Sequence, residues 1–261
     1  MGRSWVEADE ACDLLFSADP ARARAALEGL LPGVDVIVQA EAQRRRRLLV
    51  ADMDSTMIEV ECIDELADYA GFKAEVAEVT ERAMRGELPF EEALRARVGL
   101  LRDLEESVID RCREERVRET PGARALVRTM RRDGALTILV SGGFTSFADP
   151  VGTAIGFERI IANRLLGAEG RLLGTVAEPI VGAEAKRTAL LDALGERGLE
   201  ASEALAVGDG ANDIPMIQAA GLGIAFRAKP AAAAAADARI DHCDLTALLF
   251  AQGYARSEWA D

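Results

Sequence analysis

Residues 48–56 read Leu-Leu-Val-Ala-Asp-Met-Asp-Ser-Thr, so four apolar residues lead directly into two aspartates, Asp52 and Asp54. A run this short, without a helical period, is typical of a strand buried on both faces. Such strands form parallel sheets covered by helices, which bind ligands beyond the carboxyl ends of the strands. Two carboxylates beside an apolar core indicate a cation, hydrogen-bond donors or a reaction, with an Asp-rich turn as the alternative.

The bulk composition limits the class of protein. The chain has 261 residues, of which 49% are hydrophobic, so one large α/β domain or a core with an inserted lobe is expected. A net charge of −14 argues against a nucleic-acid partner. An anionic substrate would therefore need a locally positive pocket built from cations and backbone N–H groups.

The cysteines and the single histidine limit which metal sites and disulfides are expected. The four cysteines form no CxxC pair, which argues against a zinc site or a disulfide framework and favours a reduced, cytoplasmic location. Neither a signal peptide nor a membrane-spanning segment is expected. With His242 as the single histidine, a metal site built on several histidines is excluded.

Strand and helix patterns alternate along the chain. Apolar runs at 136–140, 204–207 and 222–226 predict further buried strands, and helices are predicted at 123–132 and 183–197. Residues 144–157 should be partly helical, with Pro150 limiting their regularity, and Glu169-Gly170 predicts a hairpin within 160–181. This order predicts an α/β fold with a doubly wound parallel sheet.

Residues 60–119 and 1–46 differ from this core. Helical periodicity after the first strand predicts a small helical lobe at 60–119, inserted into a core formed by 47–59 and 120–261. Residues 1–46 are interpreted as a short extension with a helix at 19–31, begun by Asp19, and a strand at 34–38. The arginine run at 44–47 is interpreted as a solvated lead-in to the first strand, with a phosphate patch as the alternative.

Three predicted strands end in polar clusters. The clusters, which should share one sheet edge, are Asp52 with Asp54, Ser141-Gly142-Gly143, and Asp209 with Asn212 and Asp213. Carboxylates gathered in one pocket repel one another, and Mg²⁺, which prefers oxygen ligands and a substrate phosphate, would relieve that repulsion. The Ser-Gly-Gly cluster suits phosphate oxygens, with a tight turn as the alternative. Lys186 would complete the charge balance, unless it is an ordinary surface lysine.

This residue set is suited to phosphoryl transfer, which depends on positioning and charge neutralisation. Asp52 is the candidate nucleophile, which would form an aspartyl-phosphate. Asp54 is the candidate acid and base, and a raised pKa is expected for it beside other carboxylates.

The motifs DMDST (52–56), SGGF (141–144), Lys186 and GDGAND (208–213) together resemble the four motifs of the haloacid dehalogenase-like phosphatases. The likeness covers about residues 47–250 and is closest to the members that hydrolyse O-phosphoserine in the last step of serine synthesis. It implies a Rossmann-like core with a helical cap inserted after the first motif. It also implies Mg²⁺ on Asp52, Asp209 and the backbone carbonyl of Asp54. Phosphate is then expected on Ser141, Gly142, Gly143, Lys186 and Asn212, with Ser55, Thr56 and Asp213 in support.

The same resemblance assigns roles in the lobe. Glu61 is expected to bind the substrate ammonium and Arg97 the substrate carboxylate, while Met84 and Phe90 would line an apolar wall. Without the resemblance, Glu61 and Arg97 would be interpreted as parts of solvated helix faces.

Alternative functions stay open at this point. They are action on another small phosphomonoester, a signalling module read out through a phosphorylated aspartate, and a catalytically inactive scaffold. A small-molecule partner is expected, with neither nucleic acid nor membrane, and a homodimer is left open.

Overall fold

The computed structural model describes residues 2–42, 44–84 and 87–260, and the side chains of Glu81, Ala83 and Met84 lie outside the described set. The strands are β1 (Gly2–Glu7), β2 (Ala11–Leu15), β3 (Leu48–Ala51), β4 (Leu136–Phe144), β5 (Arg159–Asn163), β6 (Leu165–Ala168), β7 (Arg171–Val176), β8 (Ala204–Gly208), β9 (Leu222–Phe226) and β10 (Ala238–Ile240). The helices are α1 (Pro20–Leu27), α2 (Cys62–Ala70), α3 (Lys73–Met84), α4 (Phe90–Gly99), α5 (Ser107–Arg116), α6 (Ala123–Arg132), α7 (Thr145–Ile155), α8 (Ala183–Arg197), α9 (Ile214–Ala219), α10 (Pro230–Ala235) and α11 (Ala247–Ala251).

The largest sheet in the described part of the chain has six strands in the order β10-β9-β8-β3-β4-β5. Every neighbouring pair in it is parallel. The chain proceeds outward from β3 in both directions, so β3 is the point at which the strand order reverses. The doubly wound α/β fold predicted from the sequence is confirmed.

Strand β3 lies at the centre of the hydrophobic core. Each of its four side chains is 0% exposed. Because side chains alternate along a strand, Leu49 and Ala51 pack into one apolar cluster and Leu48 and Val50 into a second one on the opposite face. Burial on both faces explains why the sequence shows a continuous apolar run instead of an alternating one.

The strand register brings the polar clusters to one edge. Ala51, the last residue of β3, pairs with Leu139 of β4 and with Val207 of β8, so β3 and β8 end at almost the same level while β4 continues past them to Phe144. The backbone N–H of Asp52 donates to the carbonyl of Val207 at 3.0 Å, which extends the pairing one residue beyond β3. The residues after β3 and β8 therefore leave the sheet side by side.

Helices α2 to α5, called the lobe below, lie in the range 60–119 for which an inserted lobe is predicted. Many of their buried side chains, among them Leu66, Val98 and Cys112, belong to the same apolar cluster as Leu49 of β3. The β6–β7 hairpin also joins the lobe, because Asp103 donates from its backbone to the carbonyl of Leu172 at 2.9 Å, and Leu172 donates back to Leu104. Lobe and core therefore pack as one continuous interior.

Two core elements are more regular than predicted. Strand β4 continues to Phe144 and includes the Ser-Gly-Gly cluster, and residues 145–155 form one helix although Pro150 lies inside it. Proline has no N–H to donate to the carbonyl four residues earlier. Here Arg113 of α5 donates to that carbonyl, on Ser146, at 3.1 Å. A contact from the lobe thus replaces the missing helical bond.

The N-terminal extension departs from its prediction. Asp19 caps α1 as expected and accepts from the backbone N–H of Arg22 at 2.8 Å. The strand predicted at 34–38 is wrong, since residues 34–40 have no strand structure, and the hairpin of β1 and β2 was not predicted. Residues 34–38 are fastened instead by Asp35, whose carboxylate accepts from three backbone N–H groups, those of residues 241–243.

The arginine run at 44–47 is only in part the solvated lead-in that was predicted, since Arg45 and Arg47 are exposed whereas Arg46 is buried. Arg44 pairs with Asp13 at 2.6 Å, Arg45 with Glu258 at 2.8 Å and Arg47 with Glu203 at 2.9 Å. Arg46 is buried, and its guanidinium donates to Gln39 at 2.9 Å. The run fastens the extension and the C-terminal residues to the core. These partners are distant in sequence, so composition alone did not predict them.

Candidate active site

A buried lysine joins two of the predicted carboxylates. The Lys186 ammonium nitrogen lies 2.5 Å from Oδ1 of Asp52 and 2.7 Å from Oδ1 of Asp213. Burial lowers the pKa of Lys186, but the charges of Asp213 and Asp52 outweigh this effect and raise it above its ordinary value. Lys186 is therefore a permanent cation inside the site, and the alternative of a surface lysine is wrong.

Asp213, the second carboxylate on this lysine, is itself held by backbone hydrogen bonds. Its Oδ2 accepts from the backbone N–H groups of Asp209 at 3.1 Å and of Gly210 at 3.0 Å. Gly208 leaves room for this arrangement, because a Cβ there would lie 2.4 Å from the Asp213 side chain. Asp213 thus orients Lys186 and the loop that presents Asp209.

Asp54 lies in the turn that follows β3, close to the lobe. Its Oδ1 accepts from the backbone N–H of Cys62, at the start of α2, at 3.3 Å. Burial, and then the nearby charge of Glu61, raises the pKa of Asp54 to about 7. A carboxyl group with such a pKa can hold a proton near neutral pH and release it, as a general acid and base must.

The Ser-Gly-Gly cluster faces Asp54. The Ser141 hydroxyl accepts from the backbone N–H of Gly143 at 2.8 Å. A Cβ on Gly143 would lie 2.8 Å from Oδ2 of Asp54, so a larger residue does not fit there without displacing that carboxylate. Asn163, at the end of β5, fixes the carbonyl of Gly142 by a 2.9 Å hydrogen bond. The cluster is therefore held next to the aspartates, as predicted, although it lies within β4 and not after its end.

The lobe places its candidate residues over the same edge. Glu61 accepts from the Ser55 hydroxyl at 2.8 Å. Phe90 lies against the Ser-Gly-Gly cluster, because a Cβ on Gly142 would be 3.3 Å from its ring. Arg97 donates to the carbonyl of Ala93 in its own helix at 3.3 Å. Burial lowers the pKa of Arg97, while the charges of Asp64, Glu61 and Asp54 act in the opposite direction.

A second lysine lies at the site and was missed at the sequence level. Lys229 lies between β9 and α10, and its ammonium nitrogen is 3.4 Å from Oδ2 of Asp209 and 4.0 Å from Oε1 of Glu61. Burial, opposed by the positive charge of Lys229, leaves the pKa of Asp209 raised to about 6. A usable signal was present, because Lys229 follows a predicted strand and so belongs to the same sheet edge.

Three carboxylates lie close enough together to hold a cation. Oxygen atoms of Asp52, Asp209 and Asp213 lie within 4.8 Å of one another. Asp213 is already engaged by Lys186 and two backbone N–H groups, which leaves Asp52 and Asp209 as the carboxylates with free ligand capacity. Burial, and then the charge of Asp213, raises the pKa of Asp52. This oxygen-only donor set fits Mg²⁺.

The remaining predicted site residues differ in what the structure shows. The Asn212 side chain curls back towards Gly210, where a Cβ would lie 2.4 Å from its Oδ1. Thr56 is 0% exposed, and its hydroxyl has no hydrogen-bond partner among the described residues. The Met84 side chain lies outside the described set. Phosphate binding by Asn212, support by Thr56 and an apolar wall at Met84 stay predictions.

Comparison with known proteins identifies the family. The model of the haloacid dehalogenase-like hydrolases matches residues 49–218, which include all the clustered side chains except Lys229. The chain belongs to the haloacid dehalogenase-like hydrolase family. In the described ranges of this family member, no helix is long and apolar enough to span a lipid bilayer.

Individual relatives of this family member carry a more specific name. The chain is 45% identical to a phosphoserine phosphatase of Streptomyces coelicolor, over 92% of this chain and 59% of the relative. It is 44% identical to the phosphoserine phosphatase SerB2 of Mycobacterium tuberculosis, over 86% of this chain and 55% of the relative. The chain thus spans little more than half the length of these curated relatives.

A solved structure supports the fold directly. The structure described as a phospho-aspartyl intermediate analogue of phosphoserine phosphatase is 37% identical to this chain. It superposes with a TM-score of 0.73 over 79% of this chain and 98% of that one. Most of this chain therefore shares its fold with a protein of that name.

Proposed function

We propose that this chain is a Mg²⁺-dependent phosphoserine phosphatase that hydrolyses O-phospho-L-serine to L-serine and phosphate. The observation that supports this most directly is the meeting of Asp52, Asp54, Asp209 and Lys186 at one sheet edge, under a lobe that presents Glu61. The names of the relatives point to the same reaction. In this proposal residues 60–119 are the cap of a core formed by 47–59 and 120–261.

Magnesium would be held by the carboxylates of Asp52 and Asp209 and by the backbone carbonyl of Asp54. Such an ion neutralises the negative charge of the phosphate and of the carboxylates. Lys186 adds a permanent positive charge beside Asp52 at 2.5 Å, and Ser141 and Gly142 offer a hydroxyl and a backbone N–H to phosphate oxygens. Together these groups let a phosphate dianion approach an aspartate.

The first half-reaction transfers the phosphoryl group to Asp52. A carboxylate oxygen of Asp52 forms a bond to phosphorus while the bond from phosphorus to the seryl oxygen breaks. Asp54 gives its proton to that oxygen, so serine leaves as the alcohol. A pKa of about 7 for Asp54 suits this step, because the proton is present near neutral pH and is readily released.

The second half-reaction restores the enzyme. Water attacks the phosphorus of the aspartyl-phosphate, Asp54 takes a proton from the water, and the bond between phosphorus and the Asp52 oxygen breaks. Phosphate leaves, and both aspartates return to their starting protonation states. The lobe, which lies over the site through Phe90, would keep other water out during the first step.

Substrate choice would depend on the lobe. Glu61 would bind the ammonium group of phosphoserine and Arg97 its carboxylate, so that both charged ends of the amino acid are matched. Release of phosphate from a panel of small phosphomonoesters, with and without Mg²⁺, tests the proposal. We expect phosphoserine to be the best substrate and chelation of Mg²⁺ to stop its hydrolysis. Faster turnover of an ester without an amino-acid group would show that phosphoserine is not the preferred substrate.

A further inference from the structure

Lys229 is held at the site by its backbone. It caps α10 directly after β9, and its N–H donates to the carbonyl of Asp209 at 2.9 Å. Pro230 follows it as the first helical residue, which fixes the direction of the chain. The backbone position of Lys229 beside the end of β8 is therefore set by the fold.

The side chain of Lys229 bridges core and lobe. Its ammonium nitrogen lies 3.4 Å from Oδ2 of Asp209, at the end of β8, and 4.0 Å from Oε1 of Glu61, at the start of α2. These two carboxylates are also the groups for which the proposed reaction needs cations: magnesium at Asp209 and the substrate ammonium at Glu61. The single positive charge of Lys229 therefore lies next to both carboxylates that would otherwise face magnesium and the substrate ammonium.

Lys229 and Lys186 differ in how firmly they are held. The Lys186 side chain is 0% exposed and makes two contacts of 2.5 and 2.7 Å, whereas the Lys229 side chain is 52% exposed and its two contacts are longer. A half-exposed ammonium on a flexible four-carbon stem can move into water at little cost. The geometry is that of an exchangeable ion, in contrast to the fixed ion at Lys186.

We propose that Lys229 is the resident counter-ion of Asp209 and Glu61 before ligands bind, and that a divalent cation and an ammonium-bearing substrate displace it towards solvent. This inference rests on the proposed function, because it takes Asp209 as a magnesium ligand and Glu61 as the ammonium receptor. Lys229 joins lobe and core through ionic contacts until the ligands replace those contacts. Because a bound cation at Asp209 and the Lys229 ammonium repel each other, Lys229 sets the magnesium affinity below the level that the carboxylates alone would give.

Magnesium binding to the full chain, freed of metal by a chelator, tests this inference. Calorimetric titration at constant ionic strength should show roughly three- to tenfold tighter binding in Lys229→Met than in the parent, because a like charge has been removed from the site. Lys73→Met is the matched control: Lys73 also lies 3.4 Å from an aspartate, but in the lobe and with 69% of its side chain exposed. We expect that variant and Lys229→Arg to bind magnesium as the parent does.

The opposite result has a clear meaning. Equal or weaker magnesium binding by Lys229→Met would overturn the inference, and weaker binding would show that Lys229 orients Asp209 instead of competing for it. Asp209→Asn separates this from failure of the proposed function. If that variant binds magnesium as tightly as the parent, Asp209 is not a ligand, and the metal site of the proposed function is wrong together with the inference. If Asp209→Asn binds magnesium more weakly than the parent, Asp209 is a ligand, and the result for Lys229→Met then tests the inference by itself.

Discussion

The Lys186 ammonium group lies 2.5 Å from Oδ1 of Asp52, and 0% of the lysine side chain and 7% of the aspartate side chain are exposed. An isolated charge at this depth would be very unfavourable, so the two ions depend on each other. The contact also fixes the direction of the Asp52 carboxylate. A nucleophile that is oriented before substrate arrives loses less entropy on reaching the transition state.

Asp52→Asn should abolish turnover and leave the fold intact. The amide keeps the size of the side chain but has no anionic oxygen with which to attack phosphorus, so phosphate release should fall by roughly a thousandfold or more. Circular dichroism and the melting temperature check the fold, and the exposed Asp192→Asn serves as the control. Acid quenching with phosphoserine that is labelled in its phosphoryl group should leave label on the parent and none on Asp52→Asn. Phosphate release at a near-parental rate would contradict the assignment of the nucleophile.

Lys186→Met should destabilise the protein strongly, because it leaves the carboxylates of Asp52 and Asp213 buried without their cation. Breaking a buried ion pair from one side typically costs about 3–5 kcal/mol of unfolding free energy. The double variant Lys186→Met/Asp213→Asn removes one of the stranded charges, so part of that loss should be recovered while activity stays absent. Urea denaturation measures the unfolding free energy of the single and the double variant. A single variant as stable as the parent would show that the burial of these charges has been misjudged.

Features of the fold and site could be predicted where they leave a local pattern in the sequence. Strand β3 and the aspartates after it were predictable, because burial on both faces leaves an apolar run and the end of that run is visible in the sequence. Helix α8 was predicted with the same bounds, 183–197. Lys186 was a candidate through the charge balance of the site and through its motif, but nothing in its local sequence distinguishes a fully buried lysine from a surface one.

The failures share a physical cause. The segment near Asp35 is held by its carboxylate on backbone N–H groups of residues 241–243, and Lys229 reaches Asp209 from the next strand of the sheet. Both contacts join residues that are distant in the chain or belong to different elements. No local periodicity reports such contacts. The predicted strand before Lys229 places that residue at the correct sheet edge, but its pairing with Asp209 requires the strand order, which a single sequence does not contain.

The stability of the metal-free protein should fall as the pH rises from about 4 towards about 7. The pKa is raised to about 7 for Asp54 and to about 6 for Asp209, in both cases mainly through burial. A carboxyl group with a higher pKa in the folded than in the unfolded state stabilises the fold at low pH, and this contribution is lost as the pH rises through the folded pKa. Urea denaturation across this range, in the presence of a chelator, measures the effect.

Variants separate this effect from the general repulsion of an acidic protein. Asp54→Asn and Asp209→Asn should each show a shallower fall in unfolding free energy between these pH values than the parent, whereas the exposed Asp192→Asn should keep the parental slope. An unchanged slope in both site variants would show that neither carboxyl group takes up a proton on folding.

Glu61 and Arg97 should discriminate between substrates by their charged ends. Arg97→Met should raise KM for phosphoserine and for 3-phosphooxypropanoate, which has the carboxylate but no amine, and should leave KM for phosphoethanolamine unchanged. Glu61→Gln should raise KM for phosphoserine and phosphoethanolamine instead. Each rise should be roughly ten- to a hundredfold, as expected for the loss of one charge-assisted hydrogen bond.

Matched controls lie close to both residues. Arg95 is on the same helix as Arg97 and pairs with Glu178 at 2.7 Å, and the exposed Glu59 precedes Glu61 by two positions. Arg95→Met and Glu59→Gln should leave all three KM values at the parental level, so that a change in Arg97 or Glu61 reports on the site and not on net charge. If Arg97→Met and Glu61→Gln hydrolyse phosphoserine as well as the parent does, the lobe does not read the amino-acid end of the substrate. The selectivity would then have to come from the core residues around Asp54 and Ser141.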